Sequence, residues 1–460
     1  MSRLFARFAS SGPLKPAPSK AHLHGPLPAA SFPAGYLLTG LHAGVKKKPG
    51  VLDLALIIST APHPAAAAAC FTRNAFKAAP VVVSDAVLAR TAGRARAVVV
   101  NSGCANAVTG RQGLDDAWAM VRATDALLPP ASPPPEHHTL VMSTGVIGQT
   151  LPISKILAAI QSQASDADRT LAADFSAWER AAQAFMTTDT FPKLRSRVFT
   201  INGTEFRMAG MDKGAGMIHP DMGPPSSALH ATLLACILTD AAVSPRSLQR
   251  ALTYAVERSF NSISVDGDMS TNDTILVLAN GAAASTDGKV AEIDEETDKE
   301  GYEIFKTVLT EFAVQLAQLV VRDGEGATKF VTINVKGAPT YQDAHRIASR
   351  VSTSALVKTA LYGEDANWGR ILAATGSVPV PALDPSKVSV TFLPSDNSSP
   401  LPVLVNGEPE TVDEERAKQI LGLEDFGICV DLGGIGTEEA TYWTCDFSYE
   451  YVRINGDYRS

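Results

Sequence analysis

Acidic residues are missing from the first 52 positions. Arg3, Arg7, Lys15, Lys20 and the run Lys46, Lys47, Lys48 all precede the first of them, Asp53. Within MSRLFARFASS, Arg3 and Arg7 stand one helical turn apart, and Leu4, Phe5 and Phe8 supply an apolar face. An acid-free, arginine- and serine-containing amphipathic start of this kind is the pattern of a mitochondrial transit peptide. We therefore expect a leader over residues 1–20 and a mature protein in the mitochondrial matrix. Removing that leader takes the formal net charge from −8 to −12. An acidic body lacks the basic surface that nucleic acid requires. Long apolar runs are missing too: none approaches 18 residues without a charge or a breaker, so no membrane span is expected.

The catalogue of cofactor and metal motifs is empty. There is no GxxxxGK[ST], GxSxG, HExxH or complete GxGxxG, which disfavours nucleotide-cofactor and zinc-hydrolase chemistry. The five cysteines, Cys70, Cys104, Cys236, Cys429 and Cys445, form no CxxC pair and are expected as free, mostly buried thiols. His137 and His138 end a proline-rich loop (128–138) without an acidic or cysteine partner at ligand spacing, so they are expected in solvent. VDGDMSTND (265–273) imitates the start of a calcium loop, but Thr271 and Val277 stand where glycine and glutamate are needed. No metal is expected.

Ordinary globular material fills the rest, with 45% hydrophobic and 19% charged residues. VVV at 81–83 and AVVVNSG at 97–103 suggest buried strands flanking a helix. TLLACILTDAAV (232–243) is continuous enough for a fully buried strand. Ser244 and Pro245 then supply an N-cap and first-turn proline for a helix carrying Leu248, Leu252 and Val256. Ile304, Phe305, Val308, Leu309, Phe312, Leu316 and Leu319 mark a long amphipathic helix stopping at Asp323 and Gly324, and FVTINVKG (330–337) follows as a strand. Such alternation without a fixed repeat points to a layered α/β fold.

Small polar loops punctuate these elements: NSGCANA, STG (143–145), MTTDT (186–190), KGAGM (213–217), HAT (230–232) and DGEGATK (323–329). Each is expected at the end of an apolar strand, where hydroxyls and backbone N–H groups gather.

Taken together, with MTTDTFPK, KGAGMI, VDGDMSTNDT, EGATK and GEDANWGRI, they resemble the ornithine acetyltransferase family, the glutamate/ornithine N-acetyltransferases, in its fungal mitochondrial form. The resemblance implies an α/β sandwich distinct from the true N-terminal-nucleophile hydrolases. It implies self-cleavage between Ala231 and Thr232, giving an α chain (21–231) and a β chain (232–460) that assemble as α2β2. Thr232 would be the nucleophile, with Thr144 and Gly145 as the oxyanion hole. Thr187, Lys213, Thr232, Glu325, Asn455 and Ser460 would bind N-acetylornithine and glutamate. No cofactor is implied, with acetyl-CoA a second acetyl donor. A new N-terminal threonine is chemically apt: its α-amine titrates near pKa ~8 and can take the proton of its own hydroxyl. The alternative is a hydrolase, an N-terminal-threonine aminopeptidase of related fold. One departure stands out: GPPSSALH (223–230) lengthens the scissile loop, at small entropic cost.

Overall fold

The computed structural model describes residues 17–129, 137–225, 233–283, 292–381 and 383–456. Ala231, Thr232 and Ser460 lie outside these residues, as do positions 1–16 of the expected leader. Lys20, at the leader's expected end, is buried and pairs with Glu424.

Three sheets organise the chain. The first orders the strands Tyr36–Leu41, Leu54–Ser59, Ala97–Cys104 and Thr139–Val146, the last two parallel. The second runs Arg94–Ala95, Ala65–Thr72, Thr274–Ala279, Leu234–Thr239, Thr204–Lys213 and Lys193–Ile201, with Met222–Gly223 on Ala65–Thr72. The third comprises Ile263–Ser264, Glu438–Cys445, Phe330–Ala338, Asp425–Asp431, Ser389–Pro394, Leu401–Val405 and Glu408–Pro409.

Alternation of side chains along the central strands builds the layers. In Leu234–Thr239, Leu234, Cys236 and Leu238 enter one core while Ala235 and Ile237 enter the other. In Thr274–Ala279, Leu276 and Leu278 oppose Ile275 and Val277 in the same way. A period of two with both faces apolar is what a strand buried on both sides demands. One core lies against the helices Pro245–Glu257 and Lys299–Arg322. The other is shared with the first sheet, and the helices Ala79–Arg90 and Phe175–Phe185 contact both sheets across it. Beyond the first sheet, Gly110–Asp125 and Ile153–Ser162 cover its outer face. The layered α/β sandwich follows from these packings.

Several local expectations need correction. VVV at 81–83 belongs to the Ala79–Arg90 helix, not to a strand; Pro80 in its first turn presets helical φ, and Val81, Val83, Val87 and Leu88 are buried by tertiary packing that overrides β-branched propensity. The βαβ unit lies one step later, as Ala97–Cys104, helix Gly110–Asp125 and Thr139–Val146. MTTDT and DGEGATK follow the helices Phe175–Phe185 and Lys299–Arg322 rather than strands. His137 is not free in solvent: its Nδ1 lies 2.8 Å from Oδ2 of Asp125, 12 residues earlier in the chain. The Pro245 helix forms, but Ser244 Oγ donates to Asp294 Oδ2 at 2.6 Å instead of capping it. By length and composition alone the Lys299–Arg322 helix could cross a bilayer, but Phe305, Leu309, Phe312 and Leu316 on it are buried in the core. Among the described residues all five cysteines are free, with Cys429 alone half-buried.

Candidate active site

The parallel strands Ala97–Cys104 and Thr139–Val146 end by bringing Gly103 beside Gly145. A Cβ on Gly145 would lie 2.3 Å from the Gly103 carbonyl carbon, and its φ of +129° suits glycine alone. Braces hold this corner: Asn101 Nδ2 donates to Cys104 O (2.8 Å), Ser143 Oγ to Asn101 Oδ1 (2.6 Å), and Asn272 Nδ2 to both Ala105 O (2.6 Å) and Ser143 O (2.8 Å). Thr144 between them is buried, and Lys213 Nζ donates to its Oγ1 at 3.3 Å. An ammonium group can only donate, so this contact leaves the Thr144 O–H proton for another acceptor.

Lys213 closes the strand Thr204–Lys213 and is buried. Burial pushes its pKa down, and the nearby Asp189 carboxylate pulls it back up. A cavity of about 370 Å³ opens here, and Thr144, Gly145, Thr187, Lys213, Glu325 and Asn455 all line it. Six residues singled out from sequence, drawn from five separate segments, thus meet in one place. Glu325 Oε2 accepts from Asn455 Nδ2 (2.8 Å), and Gly216 lets that carboxylate close in, since a Cβ there would sit 2.3 Å from Glu325 Oε2. Ser270 also lines the cavity and was not singled out.

What aligns these loops is a buried ion cluster that the sequence reading missed. Lys193 Nζ donates to Asp189 Oδ1 and Asp323 Oδ2, both at 2.6 Å, with all three side chains inaccessible. Asp189 also accepts from Thr187 N (2.8 Å) and Gly214 N (2.7 Å), and Asp323 from Thr190 N (2.9 Å). One ammonium therefore ties MTTDT, KGAGM and DGEGATK together. Burial opposes the Asp189 charge, but Lys193 and Lys213 outweigh it and hold its pKa well below the usual carboxylate range. The local signal is Asp189 and Lys193, four residues apart within MTTDTFPK.

Leu234, directly after Leu233, begins the central strand between two of these parts. Leu234 pairs with Lys213 on one side and Thr274 on the other, and Thr274 N donates to Leu233 O (2.7 Å). Asp273 beside them is buried with neither carboxylate oxygen hydrogen-bonded, and burial raises its pKa well above normal against the pull of Lys213. Asp266, from the calcium-like loop, spends its carboxylate on Met217 N (2.6 Å) and Ile218 N (2.9 Å), which makes it a loop tie.

The ArgJ family model matches residues 37–460. The mitochondrial arginine biosynthesis bifunctional protein ArgJ of Laccaria bicolor is 73% identical over 474 residues, covering 100% of both chains. The protein of the same name from Coprinopsis cinerea is 71% identical, covering 99% of both. The chain belongs to the ArgJ family. A solved ornithine acetyltransferase of Mycobacterium tuberculosis, complexed with ornithine, is 36% identical over 43% of this chain and 98% of that chain, with a TM-score of 0.34. This ArgJ-family chain is thus a mitochondrial acyltransferase of arginine biosynthesis.

Two outcomes follow for this ArgJ-family enzyme. Gly145→Ala forces the strand ends apart and lowers acyl-transfer kcat by about 10²-fold or more, measured alongside a thermal melt to establish that the variant folds. Asp189 contributes stability above its unfolded pKa of about 3.9, lost as pH falls through its depressed folded value. Asp189→Asn therefore costs about 3 kcal/mol near neutral pH, and denaturant titrations should show the difference from wild type shrinking as the solution is acidified below about pH 4.

Proposed function

We propose that the chain cuts itself between Ala231 and Thr232 into an α chain (21–231) and a β chain (232–460), and that Thr232 then carries acetyl from N-acetylornithine to glutamate. The observation that carries this reading is the convergence of Thr144, Gly145, Thr187, Lys213, Glu325 and Asn455 on one cavity beside Lys213, whose strand neighbour Leu234 lies two residues after Thr232.

The chemistry balances with these groups alone. The Thr232 α-amine takes the hydroxyl proton as Oγ attacks the acetyl carbonyl carbon. The oxyanion receives hydrogen bonds from the Thr144 hydroxyl, whose proton Lys213 leaves free, and from Gly145 N–H. Collapse breaks the carbon–nitrogen bond, the α-ammonium returns its proton to the departing amine, and ornithine leaves. Glutamate's amine then attacks the Thr232 ester to give N-acetylglutamate. The buried Lys213 cation suits the substrate α-carboxylate, and Glu325 suits the ornithine side-chain ammonium. Ser460 is assigned to the same site by resemblance alone. Acetyl-CoA serves as a second donor, no cofactor takes part, and the processed pairs assemble as α2β2. The hydrolase alternative shares the nucleophile, but a buried lysine and glutamate facing one small cavity favour capture of an amino acid over water.

Intact mass and N-terminal sequencing of the purified protein should reveal a fragment beginning Thr-Leu-Leu-Ala-Cys. Thr232→Ala should stay in one piece and lose at least about 10³-fold in transfer. A single uncut chain with full activity would falsify the assignment.

A further inference from the structure

The lysine run 46–48 belongs to the folded body, not to the leader whose charge asymmetry it accentuated. Its loop is held rigidly. The fully buried Asp53 carboxylate accepts from Ala43 N (2.5 Å), Val45 N (2.7 Å) and Lys46 N (2.9 Å), and Gly44 takes a φ of +73° between them. Lys46 lays its stem on Gly103: a Cβ there would lie 3.1 Å from Lys46 Cγ. Its Nζ donates to Leu52 O at 2.7 Å. Since Gly103 is the strand partner of Gly145, the loop abuts the proposed oxyanion hole from behind.

A second cavity, about 390 Å³, lies there, walled by Lys46, Lys47 and Lys48 on one side. Gly145, Val146, Thr187 and Thr188 form its wall in common with the acyl cavity. Lys47 and Lys48 are exposed, and no ion pair among the described residues uses either of them. Lys155 approaches the same loop, its Nζ 3.8 Å from where a Cβ on Gly44 would stand. Burial lowers the Lys46 pKa to about 8, and Asp53 opposes that shift. In a chain of net charge −8, the exposed Lys47 and Lys48, without an ion-pair partner among the described residues, are out of keeping with the surface as a whole at the rim of an acyl site.

Amino-acid substrates do not need this space. An acetylated or free α-amino acid of five carbons is served by the cavity holding Lys213 and Glu325, and one extra carboxylate requires one cation rather than three or four. Several ammonium groups around one pocket match a ligand carrying several phosphates, for which lysine acts as a point-charge partner. We propose that the lysine-walled pocket binds the phosphorylated nucleotide arm of a coenzyme A thioester, whose acyl carbon reaches the nucleophile across Gly145. This rests on the acyl-transfer reading above and places its second donor. The step forms the same ester: Thr232 Oγ attacks the thioester carbonyl, the carbon–sulfur bond breaks, and the departing thiolate takes the proton held by the α-amine. An anionic amino-acid side chain shares the recognition chemistry, so the test must separate the two sources.

The Lys47→Ala/Lys48→Ala double variant of the full, self-processed chain removes two exposed cations and leaves the packed Lys46 in place. Initial rates with glutamate as acceptor are measured for acetyl-CoA and, separately, for N-acetylornithine, with adenosine 3′,5′-bisphosphate as a competing probe. The proposal requires kcat/KM for acetyl-CoA to fall about tenfold or more, chiefly through KM, with the loss narrowing at high salt. The N-acetylornithine reaction should keep its kcat and KM, and the bisphosphate should inhibit wild type more strongly than the variant. Unchanged acetyl-CoA kinetics, or wild-type protein that does not turn over acetyl-CoA, overturns it. A raised KM for glutamate with both donors also overturns it and reassigns the lysines to the acceptor carboxylate. Failure of transfer from both donors in wild type would instead sink the functional reading itself.

Discussion

A single ammonium group, that of Lys193, is the constraint on which the site depends. Held between Asp189 and Asp323 out of reach of solvent, it sits where three chain segments must meet, two arriving from helices and one from a strand. Desolvating three charges is costly, and a buried pair is recovered only through good geometry and further hydrogen bonds. Here both carboxylates supply them, by accepting backbone N–H groups from Thr187, Gly214 and Thr190. The electrostatics thereby become a positional device: loops without regular structure acquire fixed amide positions next to the substrate cavity.

Close backbone approach does the corresponding work on the opposite wall. Gly103 against Gly145 leaves no room for a side chain, and the asparagines at 101 and 272 bind the carbonyls that the irregular strand ends would otherwise leave unpaired. Lys213 joins the two walls, receiving the field of Asp189 and donating to Thr144. Layered sheets buried on both faces make this possible, because rigid central strands deliver their ends to a common edge.

Local pattern made the strands Ala97–Cys104, Leu234–Thr239 and Phe330–Ala338 and the helices Pro245–Glu257 and Lys299–Arg322 legible. The continuous apolar run before Ser244, the proline after it and the i,i+4 leucines carried enough periodicity to place them. It misplaced VVV at 81–83, because three β-branched residues in a buried helix look like a strand when only propensity is weighed. The candidate site was legible through loop composition and resemblance: six residues named from the chain meet in one cavity. What supports them was not. Asp323 lies 130 residues from Lys193, and nothing in a spacing rule pairs them. Nor could the sequence show what holds the lysines at 46–48, beyond the leader expected over residues 1–20, since charge asymmetry reports a count, whereas the tie of Ala43, Val45 and Lys46 to buried Asp53 is a three-dimensional fact.

The most direct test of the central claim is amide hydrogen exchange on Lys193→Met, resolved to single residues. If the ammonium fixes the loops, the amides of Thr187, Thr190 and Gly214 lose protection selectively while Phe330–Ala338 and its sheet neighbours exchange as in wild type. Unchanged protection at those three amides would contradict the account, and would mean that the loops hold their positions without the buried ion cluster.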